Sequence, residues 1–196
     1  MEAFSDGVFA IAITLLVLEI SVPAGSEDDL PGALVDQWPS YMAYFVSFST
    51  IGAVWLTHTV VTEYLDAADS VFLRLNLLLL MMVSFLPFPT RLLAEYAATS
   101  EPDRIATTVY GLNLLLVLTM VSVLWRYALG AELVRPDLAD EDVKTLTRRL
   151  TPSLGVYVVM IVVGLFLPVL AVLGYLGLAL FILIPFGEIR RRAGRT

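Results

Sequence analysis

The sequence predicts an all-α membrane protein with six transmembrane helices, and three observations carry that prediction. The 196 residues are 58% apolar, with a mean hydropathy of +0.82, against roughly 45–50% apolar in an ordinary soluble domain. The apolar surplus falls into runs broken by charged or Pro/Gly-rich stretches, and six crossings of about 20 residues each would use roughly 120 positions. Lys and Arg gather in alternate connections, as they do in chains that cross a bilayer repeatedly. A single domain over residues 1–196 follows. Disorder, collagen and a large multidomain enzyme are excluded.

The first span is expected at about 4–22, where an unbroken apolar run goes from Val8 to Leu18. Phe4, Val8, Ile11, Leu15, Leu18 and Val22 recur at helical spacing and form one large apolar stripe. Ala3, Gly7, Ala10, Thr14 and Ser21 form a second, small-residue stripe beside it. In lipid, small residues mark close helix packing, whereas large apolar ones face lipid, other helices, or a pore that gates by dewetting. Periodicity alone favours ordinary packing for both stripes. A cleavable signal peptide is disfavoured because the preceding flank carries Glu2 and Asp6 and no Lys or Arg. Turn chemistry with three acids follows at Pro23-Ala24-Gly25-Ser26-Glu27-Asp28-Asp29.

The second span, 40–62, carries Trp55 and His58, and the third, 71–93, carries Arg74, Asn76 and the Pro87/Pro89 pair. A fourth covers 105–127 and includes Asn113, ahead of a mixed-charge connection from Arg135-Pro136 to Arg149. The stretch from Val156 to Phe186 is too long for one crossing of about 17–25 residues. Splitting it at Pro168 to Gly174 gives a fifth span, 153–168, and a sixth, 170–187.

With the N-terminus inside, the inner segments hold ten basic residues: Arg74, Arg126, Arg135, Lys144, Arg148, Arg149, Arg190, Arg191, Arg192 and Arg195. The outer ones hold Arg91 and Arg104. This bias places both termini in the cytoplasm and the acidic 23–38 loop outside. It also brings Ser5, Asp6, His58, Arg74 and Asn76 to one depth near the inner leaflet, where a buried carboxylate needs partners. A structural clamp of these five residues is expected there, ahead of any proton pathway.

The charge count, 12 Lys+Arg against 19 Asp+Glu for a net −7, leaves no basic face for nucleic acid. With no cysteine and one histidine, thiolate chemistry and a His-rich metal centre are excluded. Gly-rich phosphate loops, a GxSxG elbow and an HExxH helix are absent. The sequence therefore predicts no enzyme, no cofactor and no metal site.

Phe4-Ser5-Asp6-Gly7, followed by Val8-Phe9-Ala10-Ile11-Ala12-Ile13-Thr14-Leu15-Leu16, resembles the first-helix signature of the transmembrane protein 175 family. Trp55-Leu56-Thr57-His58, Asn76-Leu77-Leu78 and Pro87-Phe88-Pro89-Thr90 are similar to its prokaryotic members. The arginine that opens the family signature would fall before Met1. The resemblance implies a cation channel of the plasma membrane, selective for potassium to a modest degree. It further implies a homotetramer in the lipid bilayer, with a pore-lining first helix and potassium as the permeant ion.

Carried over by spacing from the Phe-Ser-Asp motif, the family's apolar constriction falls on Ile11, Leu15 and Leu18, which coincide with the large apolar stripe. Thr14 and Ser21 are secondary lining candidates, because a small rotation of the helix exchanges the two stripes. Glu19 forms either a ring near the outer end of the pore or an interfacial carboxylate off the axis. Glu27, Asp28, Asp29 and Asp36 would draw cations to the outer mouth. The main alternative is a proton-coupled secondary transporter, for which Asn113 and the Pro87/Pro89 pair would be the relevant features. A membrane-embedded enzyme would have only Asp6 and His58 to work with.

Overall fold

The computed structural model describes residues 1–22, 25, 27–97 and 104–183, and these are almost wholly helical. Helix α1 spans Glu2–Leu15 and tightens into a 3-10 turn, Leu16–Glu19, before the chain becomes extended at Ile20. A second 3-10 turn, Glu27–Asp29, leads into the short helix α2, Leu30–Asp36. Asp29 caps α2, its carboxylate accepting from the Gly32 N–H at 3.1 Å. The remaining helices are α3 Trp38–Glu63, α4 Ser70–Phe85, α5 Pro87–Ala97, α6 Arg104–Gly130, α7 Asp140–Gly164 and α8 Pro168–Leu183.

Among the described residues, four helical stretches are long and apolar enough to cross a membrane: Trp38–Glu63, Ser70–Tyr96, Arg104–Gly130 and Asp140–Gly164. The first and sixth predicted spans correspond to shorter helices. Helix α8 has 16 residues, and α1 has 14 before its 3-10 turn. The predicted end of the sixth span at 184–187 lies outside the described residues, as do Pro23, Ala24, Ser26, Arg190, Arg191, Arg192 and Arg195.

Three boundaries differ from expectation for physical reasons. The third span is two helices, because Pro87 and Pro89 have no N–H to continue the hydrogen-bond ladder past Leu86. The hairpin expected at Pro168 to Gly174 turns instead at Leu165 to Leu167, where the Leu167 N–H reaches the Val163 carbonyl at 2.7 Å. Pro168 then opens α8 at a position that needs no N–H, and Gly174 lies in mid-helix. Helix α7 begins at Asp140, well before residue 153. Its first turn is Asp140, Glu141 and Asp142, acids that suit a helix N-terminus but are invisible to a hydropathy window.

The core lies where α3, α6, α7 and α8 meet, around the buried rings of Tyr110, Tyr157 and Tyr175. Tyr157 stacks on Tyr175 at 5.8 Å, and Tyr110 is tilted against Tyr175 at the same separation. Gly111 permits this, since a Cβ there would lie 2.1 Å from the Tyr175 hydroxyl and 2.8 Å from Ile161 Cγ1. At the Met1 end of the bundle, a single antiparallel bridge between Leu65 and Val134 ties the α3–α4 connection to the α6–α7 connection. Asp69 caps α4 there, accepting from the Val71 and Phe72 N–H groups and from the Tyr127 hydroxyl. Among the described residues, helix α1 packs chiefly against α3 and α4.

Candidate functional site

Helix α1 buries a third face, neither of the two stripes. Ser5, Phe9, Ala12 and Leu16 are 1% exposed or less and form the face that packs on α3 and α4. Ile11, Leu15 and Leu18, by contrast, are 60%, 40% and 71% exposed. Ala3, Gly7, Ala10, Thr14 and Ser21 are exposed as well, and a Cβ built on Gly7 would meet nothing within 4 Å. The expectation of ordinary packing for both stripes is thus not met inside one subunit. Thr14 donates its hydroxyl to the Ile11 carbonyl at 2.9 Å, which leaves its oxygen lone pairs as acceptors on that open face. Beside the stripe, a groove of about 400 Å³ between α1 and α4 is walled by Phe4, Val8, Ile11, Leu15, Leu77 and Met81.

At the Met1 end, three helices are joined by one directed chain of hydrogen bonds. Asn76 on α4 donates its amide to Ser5 Oγ on α1 at 3.0 Å, and Ser5 in turn donates to the Met1 carbonyl at 3.4 Å. With that amide committed, Asn76 Oδ1 is an acceptor, so His58 on α3 donates from Nε2 at 2.8 Å. The three side chains are 2% exposed or less, and the His58 ring lies 5.4 Å from that of Phe9. Asp6 accepts instead from Trp55 Nε1 at 2.8 Å.

Arg74 does not join this group. It is exposed and makes no hydrogen bond or ion pair among the described residues. Helical spacing is the reason: Phe72, Asn76, Leu79, Leu80 and Val83 form the buried face of α4, and position 74 points away from it. The partner that Asp6 does find was legible in principle, because Trp55 and His58 stand one turn apart on the same helix.

At the other end of α1, Glu19 is held by a cation from α5. Arg91 Nε lies 3.8 Å from Glu19 and 2.8 Å from Glu95, one turn further along α5. Ser21 lines the same cavity as these three residues. Asp28, Asp29 and Asp36 are exposed nearby in sequence, whereas the side chain of Glu27 lies outside the described residues.

Two further polar features lie in the interior. Ser47 on α3 contacts the Thr90 hydroxyl at 2.8 Å and the Tyr110 hydroxyl at 3.0 Å, joining α3, α5 and α6. Asn113 donates to the Met82 carbonyl at 3.4 Å, while its Oδ1 is buried with no partner.

Comparison with known proteins locates this arrangement. Residues 1–87 match the family described as endosomal/lysosomal potassium channel TMEM175. The chain is 48% identical over 126 residues to a potassium channel of Streptomyces collinus, a match covering 64% of this chain and 61% of that protein. It is 41% identical over 163 residues to a potassium channel of Chamaesiphon minutus, covering 81% of this chain and 80% of the relative. The crystal structure of a lysosomal potassium-selective channel TMEM175 homolog from Chamaesiphon minutus superposes with a TM-score of 0.83, at 38% identity over 92% of this chain and 93% of that one.

Proposed function

This chain belongs to the TMEM175 family and is a multi-pass, all-helical membrane protein, and from that premise we propose that it is a potassium channel with its pore along α1. Four subunits surround an axis, and their Ile11, Leu15 and Leu18 side chains form an apolar constriction. Each subunit crosses the plasma membrane six times, with both termini in the cytoplasm. The permeant ion is potassium, no cofactor takes part and no catalysis is involved. Preference for potassium is modest, because apolar side chains cannot replace an ion's water shell as carbonyl oxygens do.

One observation carries the reading: in the isolated subunit α1 exposes both its large apolar stripe and its small stripe. Lipid suits exposed Ile and Leu, but exposed Gly7, Ala10 and Ala3 at helical spacing suit the close approach of another helix. The described residues of the subunit supply none, so a second copy of the chain does. That contact turns the neighbouring stripe towards the symmetry axis, where a ring of four Ile11 side chains narrows the path and excludes ions when dry. Thr14 and Ser21, on the small stripe, lie at the flank of the lining. Their oxygens join it if the helix rolls. No observation favours the proton-coupled transporter.

Replacing Ile11 with Asn tests this. A polar ring wets more easily, so potassium flux into liposomes should rise several-fold and selectivity over sodium should fall. Unchanged flux and selectivity in a variant of unaltered oligomeric mass would remove Ile11 from the pore.

A further inference from the structure

A cavity of about 470 Å³ opens at the end of α1 opposite Met1, between the 3-10 turn, α2, the start of α3 and α5. Its charged lining is Glu19, Asp36, Glu95 and Arg91, so three carboxylates face one cation. The same cavity is lined by Leu18, the last of the three apolar residues on the proposed constriction. Arg91 is shared: Nε sits 2.8 Å from Glu95 and 3.8 Å from Glu19. The Arg91 side chain is 62% exposed against 24% for Glu19.

An exposed ion pair of this kind adds little to stability. What it does change is the field at the mouth, because charge lining an opening raises or lowers the local concentration of the permeant ion. We propose that Arg91 sets potassium throughput by partly cancelling the carboxylates at the pore mouth, so that the wild-type channel runs below the rate its acids would otherwise permit. The inference rests on the pore reading above and deepens it. Each subunit carries a net charge of −2 in this lining, and loss of Arg91 makes it −3. Fourfold repetition adds four negative charges to the mouth. Taking them as about 10 Å from the axis in water, these charges raise the local potassium concentration about twofold at 0.15 M salt and by roughly a tenth at 1 M, where screening is nearly complete.

The test is unitary conductance of wild type, Arg91→Gln, Arg91→Lys and Glu19→Gln in planar bilayers, in symmetrical potassium at 0.15 M and at 1 M. Arg91→Gln should conduct about twice the wild-type current at the lower salt, most strongly for ions entering from the Arg91 side, and nearly the wild-type current at the higher. Arg91→Lys should keep wild-type conductance, and Glu19→Gln should lower it. Equal conductance of Arg91→Gln and wild type at 0.15 M overturns the proposal. So does a change of the same size at both salts, which is the mark of a reshaped mouth rather than of a field. If Arg91→Gln fails to assemble, Glu19→Gln decides alone, and an unchanged or raised conductance counts against the inference. A wild-type chain that carries no potassium current takes the pore reading down first and this inference with it. A conducting wild type with an indifferent Arg91→Gln removes this inference only.

Discussion

Replacing Asn76 with Leu should loosen the junction of α1, α3 and α4, and the size of the effect can be worked from the geometry. The substitution removes the His58–Asn76 bond at 2.8 Å and the Asn76–Ser5 bond at 3.0 Å. Side-chain hydrogen bonds between membrane helices average about 0.6 kcal/mol and reach about 1.7, so two of them amount to about 1–3 kcal/mol. For a chain of this size that is about 3–10 °C in melting temperature. His58, at 2% exposure, keeps an Nε2–H with no acceptor, which moves the expectation towards the upper end. His58→Phe gives the matching single variant, since the ring keeps its place beside Phe9. The double variant buries two apolar side chains and no stranded donor between them. Thermal unfolding of all four proteins in one detergent closes a double-mutant cycle. The double variant should be more stable than the sum of the single losses by at least about 0.6 kcal/mol. Additivity within about 0.3 kcal/mol would show that the two residues do not act together, and the chain of bonds would lose its claim to anchor α1.

Two further substitutions probe the scaffold. Gly111→Ala should cost about 1–3 kcal/mol, because the new methyl meets the Tyr175 hydroxyl and Ile161. Tyr175→Phe should be neutral or mildly stabilising alone, its hydroxyl being buried without a partner, and should recover part of the Gly111→Ala loss in thermal unfolding. The Asp69 carboxyl is held below its ordinary value of 3.8, first by the Phe72 N–H and then by the Tyr127 hydroxyl. A lowered folded value means that its contribution is complete above pH 3.8 and is lost as pH falls from there through the lower folded value. Asp69→Asn should therefore flatten the stability profile below pH 4 or so while leaving its neutral-pH shape unchanged. A variant that retains the wild-type acid slope would assign that slope to other carboxylates.

Much of the bundle was legible because burial in a membrane protein leaves a plain hydropathy trace. Helices α3 and α6 fall within a few residues of their expected bounds. The trace failed where helix and membrane are different things. Asp140 to Arg149 is helical yet charged, so α7 starts far earlier than its apolar part. A turn at Pro168 is one reading of that residue, but a proline fits the first turn of a helix as well as the end of one, and here it opens α8. The inner cluster was legible by depth and illegible by angle. Ser5, His58 and Asn76 share a level and a face, whereas Arg74 shares only the level. Two stripes were visible on α1, but the face that anchors it, Ser5, Phe9, Ala12 and Leu16, mixes a polar residue, an aromatic one, a small one and a large one. No single-property pattern marks such a face. The Arg91–Glu95 pair was readable from its spacing, and its reach across to Glu19 required the fold.

Helix α1 is fastened by directed bonds at one end. Near Met1 it is tethered through Ser5 and Asp6, whereas past Leu18 the Glu19 carboxylate only approaches Arg91, at 3.8 Å. Beyond that end it touches its own subunit through greasy contacts, at Phe9, Ala12 and Leu16 with Val8 and Ile13 beside them. Directional bonds yield abruptly, whereas dispersion contacts slide, so the compliant part of this rod begins past Asp6 and takes in Ile11 and Leu15. On the pore reading proposed above, widening is then a leaning of each rod about its pegged end.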